Sequence, residues 1–406
     1  MVEQKKVLVV SFTDLERDPR VNRQLRFLRD YYQVVAAGAA TPKLDEVEFV
    51  QLQPRLTTRF QKHLNPIQLL TRRYESYYWT RPYVVDGLHK LANVDADVIL
   101  ANDIDSLPLA LRLSNGRPVV YDAHEYAPLE FSDSFKFRMM YQGYKTYLCK
   151  RYIPFAAEML TVCDGIAQQY FRDNGIVPSV MYNAALYEPL RPQISADPNK
   201  IRLIHHGGAM PTRQLELMID TMKLLDERFE LHFMLVECNP KYMASLQKRA
   251  QRVGRVFFHP TVPMTAIARE TNHYDMGIYL LRPNNFNNKH SLPNKFFEFI
   301  QARLGMAIGP SPEMAKIVKQ HDLGIVADKF TPRALADRLN RLTYEDVLQF
   351  KQNAHAVSRQ FSSEGTRQIL LDTIERALYP KKSSQQAINR VIGQQNHSSN
   401  GEYERT

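Results

Sequence analysis

Short β-branched runs alternate with amphipathic segments along almost the whole chain. In the first half, apolar runs at 7–12, 34–37, 47–51, 98–101, 118–122 and 158–162 have the length and composition of buried strands. Between them, 18–30, 107–113 and 135–155 space their apolar residues three and four apart, the stripe of a helix laid on a sheet. The rhythm breaks at 187–200, YEPLRPQISADPNK, where proline and polar residues predict a linker. It restarts with strands at 201–205, 231–236, 256–259, 276–280, 306–308 and 324–327. Helices are expected at 214–225, 241–252, after Pro263, at 293–303, at 312–320, and onward to 379. Alternation of this kind predicts parallel, doubly wound sheets. The expectation is two α/β domains, 1–186 and 201–379, with a cleft between them and a last helix able to pack back on the first. From 380 onward Ser, Gln, Asn and charge replace apolar residues, which predicts a disordered tail.

Composition adds limits. The 406 residues, 44% hydrophobic and 10% aromatic, suffice for two cores. Cys149, Cys163 and Cys238 are scattered, which fits a reducing compartment and no zinc site. No apolar run approaches the ~18 residues of a membrane span. The opening MVEQKKVLVVSF is too short in its apolar part for a secretion signal, so a cytoplasmic protein is expected. The net charge of +10 matters through its distribution. Seven Lys/Arg lie between Arg55 and Lys90, and five, with no acid, between Lys136 and Arg151. Tyr74, Tyr77, Tyr78, Trp79, Tyr83, Phe137, Tyr141, Tyr144 and Tyr147 are interleaved with them. This mixture suits an anionic membrane surface. It also suits a solvated helix face whose aromatics sit in the core. Nucleic acid is the weakest reading, since no recognised motif accompanies the basic residues.

The candidate chemistry lies at strand ends. The first strand is followed neither by G-x-G-x-x-G nor by a P-loop, which argues against dinucleotide and P-loop enzymes. Instead, Asp18-Pro19 opens a helix with Arg20, Asn22 and Arg23 near its positive end, where cations oppose the dipole. Arg20 or Asn22 facing a ligand is one reading, and plain surface charge the other. Asp103 and Asp105 form a D-x-D beside a helix start, where helix capping is favoured over metal binding. His124 and Glu125 follow the 118–122 strand, where open sheets bind ligands, and a histidine satisfied beside Asp122 is the other reading. In HHGGAMPTRQ, Gly207 and Gly208 before Arg213 suit a turn at which backbone N–H groups and a cation hold a diphosphate without metal, a simple glycine turn before a helix being the other reading. The richest stretch is HSLPNKFFEFIQARLGMAIGPSPE, 290–313. Asn294 and Glu298 share a helix face, with Lys295 a candidate partner of the carboxylate. Glu298 suits the two hydroxyls of a ribose.

Together, DPRVNRQLRFL, ILANDIDSLPLAL, VVYDAHEYAP, HHGGAMPTRQLELMI and SLPNKFFEFIQARLGMAIGPSPEMAKIV resemble the GT-B glycosyltransferases, most closely glycosyltransferase family 4. The resemblance spans 5–379. It implies two Rossmann-like domains, a nucleotide-sugar donor (UDP- or GDP-linked) held mainly by the second, transfer with retention, and no metal or other cofactor. Carried over by position, Glu298 is similar to the second Glu of the family's E-x7-E pattern, which binds the ribose. Arg213 resembles the cation on the diphosphate, and His124 the histidine near the transferred sugar. The Glu313 region resembles part of the nucleotide-side wall. His290 stands where the pattern has its first Glu, on the donor-sugar side.

The resulting expectation is a glycosyltransferase acting on a glycan or lipid-linked acceptor, cytoplasmic or peripheral on the inner face of the membrane. Its catalytic residues would be His124 and Arg213. Its donor site would comprise Gly207, Gly208, Arg213, His290, Asn294, Lys295 and Glu298. Arg20, Asn22, Asp103 and Glu125 would lie on the acceptor side. A sugar-nucleotide epimerase sharing the ribose site, or a non-catalytic binding partner of the same fold, are the alternatives.

Overall fold

The computed structural model describes residues 4–42, 44–55, 59–194 and 197–380, with backbone alone at 59–63. The tail expected from 380 onward lies almost wholly outside the described residues. The chain divides into two compact units. One comprises everything through Val162, Ile166–Met181, and Gln368 onward; the other comprises Cys163–Gly165 and Tyr182–Arg367.

The first unit is built on strands β1 (Lys6–Val10), β2 (Gln33–Gly38), β3 (Glu48–Gln51), β4 (Val98–Asn102), β5 (Val119–Ala123), β6 (Glu158–Thr161) and β7 (Ser179–Val180). They form one sheet in the order β3-β2-β1-β4-β5-β6-β7, and the paired strands run parallel. Among the described residues, the strands are interleaved with α1 (Pro19–Arg29), α2 (Arg59–Leu70), α3 (Tyr74–Trp79), α4 (Pro82–Leu91), α5 (Leu107–Leu113), α6 (Phe135–Met140), α7 (Gln142–Tyr152) and α8 (Asp164–Asn174). The core takes Val7, Val9, Val98, Leu100 and Val120 from the strands and Val21, Leu25 and Leu28 from α1. Leu370, Leu371, Ile374 and Ala377 from near the chain's end complete it. Each is a fully or nearly fully buried aliphatic side chain, worth about 1.5–3 kcal/mol for the larger ones.

The second unit carries β8 (Ile201–Gly208), β9 (Phe229–Val236), β10 (Val256–His259), β11 (Met276–Tyr279), β12 (Gly305–Ile308) and β13 (Gly324–Val326). Their order is β10-β9-β8-β11-β12-β13, with all pairs parallel. Its helices are α9 (Glu216–Met222), α10 (Pro240–Gln251), α11 (Ile267–Thr271), α12 (Phe286–Lys289), α13 (Asn294–Gln301), α14 (Pro312–Gln320), α15 (Pro332–Leu339) and α16 (Tyr344–Val357). The final helix, α17 (Ser363–Leu378), starts in this unit and continues into the first. Met218, Ile219 and Met222 of α9 pack with Leu231, Phe233, Met276 and Ile278 of the sheet.

Three local expectations change. The helix expected over 135–155 is interrupted at Tyr141, whose φ of −112° departs from helical values. The strand expected at 201–205 runs on to Gly208, because Gly207 and Gly208 pair with Leu235 and Val236 of β9. The two glycines therefore end a strand rather than make a free turn. The aromatics of 74–83 are divided by environment: Tyr77, Tyr78 and Tyr83 are buried, and Tyr78 donates its hydroxyl hydrogen to Asp105 O at 2.8 Å.

Candidate functional site

The chemistry of the second unit gathers at the C-terminal ends of β8 and β11. Gly207 has φ +123°, a conformation that side-chain-bearing residues rarely adopt. A Cβ there would lie 3.2 Å from Lys295 Nζ and 3.8 Å from a guanidinium nitrogen of Arg213. The bare backbone thus leaves room where two cations converge. Arg213 stands in a short 3-10 turn, Pro211–Arg213, after the strand, and Lys295 in the first turn of α13. α9 begins only at Glu216, a short helix with an acid in its first turn, so the cationic character comes from side chains and not from its dipole.

Lys295 is nearly fully buried, and burial followed by repulsion from Arg213 pushes its ammonium down to about 7. Its Nζ meets no carboxylate oxygen at ion-pair distance among the described contacts. It lies 3.3 Å from His205 Nε2 and 4.9 Å from the centre of the Tyr279 ring. His205 Nδ1 donates to Ile278 O at 2.8 Å, which leaves Nε2 as the acceptor for the lysine. Burial and the neighbouring Lys295 hold His205 neutral, its pKa well below the usual range. A buried cation facing a neutral imidazole and a ring is a charge arranged for an anion from outside.

Glu298, one turn further along α13, is buried and lies 3.4 Å from His206 Nε2. That nitrogen is buried without a hydrogen-bond partner. Burial, then Lys295 and Arg213, push His206 down to about 3, so it is a neutral imidazole. A carboxylate beside an orphaned ring nitrogen offers complementary groups to a vicinal diol. Lys295, the partner considered for Glu298, instead turns its Nζ to His205. Asn294 is the first residue of α13 and is half-buried; Pro293 precedes it with no side-chain cap. His290, at the end of α12, holds Glu313 of α14 with Nδ1 2.8 Å from Oε1. The same carboxylate oxygen accepts the Gly165 N–H at 3.1 Å.

In the first unit a charged network lies behind the C-terminal ends of β4 and β5. Arg20 is buried and makes a bidentate pair with Asp122, Nε to Oδ2 at 2.7 Å and Nη2 to Oδ1 at 2.6 Å, and donates to Met181 O at 2.9 Å. Gln24 donates to the same carboxylate. Arg20 is therefore interior and not a surface charge. Asn22 donates to Leu15 O and, at 3.0 Å, to Asp18 O, and so fastens the start of α1. His124 Nε2 donates to Asn102 Oδ1 at 3.0 Å and lies 3.6 Å from Asp122. Its Nδ1 lies 3.5 Å from Asp103. Burial opposes the imidazolium, but Asp103 and Asp122 outweigh it and raise the pKa. Asp103 has φ +62°, a strained backbone that aims its carboxylate at His124.

The D-x-D does not act as a pair. Asp105 turns the other way, to Lys145 at 3.1 Å and Arg55 at 3.2 Å. α5 is preceded by Ser106, whose Oγ donates to Asn102 O instead of capping the helix. Glu125 is half-buried; burial and the adjoining Glu130 push its carboxyl up to about 8. Among the described residues, no group of three or more His, Cys, Asp or Glu is arranged to hold a metal ion. His205, His206 and Tyr279 were not anticipated as site residues. The paired histidines directly before Gly207-Gly208 were the available signal, since polar residues are uncommon in a buried parallel strand.

No protein-family model matches the sequence, and no curated protein does. Solved structures match in shape. HepE of Anabaena, in complex with UDP-glucose, superposes with a TM-score of 0.63 at 15% identity, covering 91% of this chain and 99% of that one. TarM gives 0.66 at 8% identity over 93% and 99%. The lipopolysaccharide outer core galactosyltransferase WaaB gives 0.59 at 11% identity over 92% and 99%. All are GT-B glycosyltransferases. Identities this low establish architecture alone, and the architecture is the one its motifs resemble: the chain has the GT-B fold.

Proposed function

We propose that the chain is a retaining glycosyltransferase. It moves a sugar from a nucleotide-linked donor to a glycan or lipid-linked acceptor at the cytoplasmic face of the membrane, in polysaccharide, lipopolysaccharide or glycolipid synthesis. The observation that carries this reading is the convergence of Lys295 and Arg213 on Gly207, with Glu298 and His206 beside them. The cations take the diphosphate and the carboxylate takes the ribose. HepE binds UDP-glucose on the same fold, which favours a UDP-linked donor.

In the step, the bond from the anomeric carbon to the diphosphate oxygen breaks and the acceptor hydroxyl oxygen bonds to that carbon on the same face. The hydroxyl proton passes to an oxygen of the departing diphosphate. Negative charge grows on the diphosphate, where Arg213 and Lys295 stabilise it more than in the ground state. By the resemblance, His124 is the residue that orients a sugar hydroxyl, with Asp103 and Asp122 favouring its charged form. Glu313, gripped by His290, places a carboxylate beside the position where the resembled pattern has its first Glu. The reaction as written needs no divalent ion. The test is donor hydrolysis and transfer from UDP- and GDP-sugars, with and without chelator. Turnover that survives the chelator and falls about 10–100-fold in Arg213→Ala agrees with the loss of one charge-assisted contact. Activity strictly dependent on Mn²⁺ contradicts it.

A further inference from the structure

The first unit carries an apolar and basic surface that the sugar-transfer reading does not use. On α6, Phe135 and Met139, one turn apart, are 70% and 59% exposed. Phe131, just before the helix, is 55% exposed and is braced edge-on against the buried Phe137 at 5.8 Å. α2 packs against α6, and on it Ile67 and Leu70 are 59% and 60% exposed. Scattered exposed apolar residues are ordinary, but two exposed pairs on adjacent helices are not.

Cations accompany them. Lys136 and Arg138 are exposed on α6, as are Arg72 and Arg73 directly after α2 and Lys150 and Arg151 at the end of α7. Arg138 keeps its guanidinium 6 Å or less from the Phe135 ring, at 5.9 Å, and donates to Ser132 O at 2.7 Å. The acids nearby are engaged: Glu130 lies 3.5 Å from Lys145, and Glu75 accepts from Trp79, Tyr147 and Tyr152. Asp133, two residues after Phe131, is an exposed acid within the same stretch.

We propose that Phe131, Phe135 and Met139, with Ile67 and Leu70, insert into an anionic lipid surface while Lys136, Arg138, Arg72 and Arg73 meet its headgroups. Aromatic and aliphatic tips entering the acyl boundary, ringed by cations, are the combination that binds such surfaces reversibly. A lipid-linked acceptor would then be met where it lies. That purpose rests on the sugar-transfer reading, but the binding does not. Vesicle binding and nucleotide binding are measured separately, so either can fail alone.

The test is co-sedimentation of the full chain with phosphatidylcholine vesicles and with vesicles also containing phosphatidylglycerol. Wild type is expected on the anionic vesicles only, and less at high salt. Phe135→Ser with Met139→Ser, and Lys136→Glu with Arg138→Glu, each lower binding about tenfold or more. Val177→Ser, a control at an exposed apolar residue outside the patch, leaves it unchanged. All these positions are exposed, so unchanged thermal midpoints show that the variants fold. The proposal is overturned if wild type ignores anionic vesicles, or if Val177→Ser loses as much as the patch variants. It is also overturned if the patch variants abolish a dimer, seen by sedimentation equilibrium, in a chain that binds no vesicle.

Discussion

Lys295 is the residue on which the proposed donor site turns. Its ammonium is pushed down to about 7 by burial and by Arg213. In the free protein it binds fewer protons above pH 7 than an ordinary lysine does. A diphosphate beside it restores the charged form, so the complex holds more protons than the free protein above pH 7. Affinity therefore falls as pH rises above 7, by up to about tenfold per unit while one proton is taken up. The neighbours do not blur this window. His205 and His206 are neutral throughout, and Tyr279 is pushed up to about 12. UDP titrations across pH 7 to 9 check it. Lys295→Arg, charged over the whole range, is expected to flatten the profile, and an unchanged profile would remove Lys295 from the site. Sequence spacing made Lys295 one candidate partner of Glu298, since residues three apart on a helix are neighbours. The carboxylate does favour the charged lysine, but the long stem carries Nζ to the sheet, where His205 and Tyr279 stand.

At the scale of elements, the buried strands were the most legible part of the chain. Parallel strands covered on both faces read as continuous apolar runs, as at Val7–Val10 and Val98–Leu100. The end of β8 was not legible, because glycine signals a turn while pairing with β9 is decided by tertiary register. Nor were α2 to α4, since a helix that buries Tyr77, Tyr78 and Tyr83 shares its sequence character with an aromatic, basic surface. Two elements invite direct tests. Gly207→Ala in β8 puts a methyl group 3.2 Å from Lys295 Nζ at φ +123°. It is expected to cost roughly 1–3 kcal/mol in backbone strain and to weaken UDP binding, read by denaturant unfolding and calorimetry. The junction of α1 with β5 rests on Arg20 and Asp122. Asp122→Asn leaves a buried guanidinium without its charge partner and is expected to cost about 3–5 kcal/mol. Burial would raise the Asp122 pKa, but Arg20 and His124 hold it far below the usual carboxylate range. The folded-state pKa is the depressed one, so this stability is fully present above about pH 4 and is lost as pH falls below it. A wild-type acid transition that Asp122→Asn leaves unaltered would contradict the assignment.

Across the whole molecule, each unit has its own sheet and its own hydrophobic core, and the charged chemistry sits at the C-terminal ends of parallel strands in both. Among the described residues no helix is long and apolar enough to cross a membrane. The alternation of strands and helices was enough to anticipate this architecture. The side chains at the strand ends were partly legible, because Gly207, Arg213, Lys295, Glu298 and the histidine pair before Gly207 carry sequence signals, whereas the approach of Lys295 to His205 and of Glu298 to His206 is set only by folding. A ligand that binds the native state raises stability by mass action, about 2.7 kcal/mol at a concentration one hundred times its Kd. The central claim is that Glu298 holds the ribose of a nucleotide-sugar on the second unit. The most direct measurement is a calorimetric titration of UDP-glucose into wild type and Glu298→Ala, with circular dichroism to confirm that both are folded. Binding by wild type and a loss of about tenfold or more in Glu298→Ala is the expected result, given the ~1.5–3 kcal/mol of a hydrogen bond to a charged group. Equal affinity for the two proteins would contradict the account.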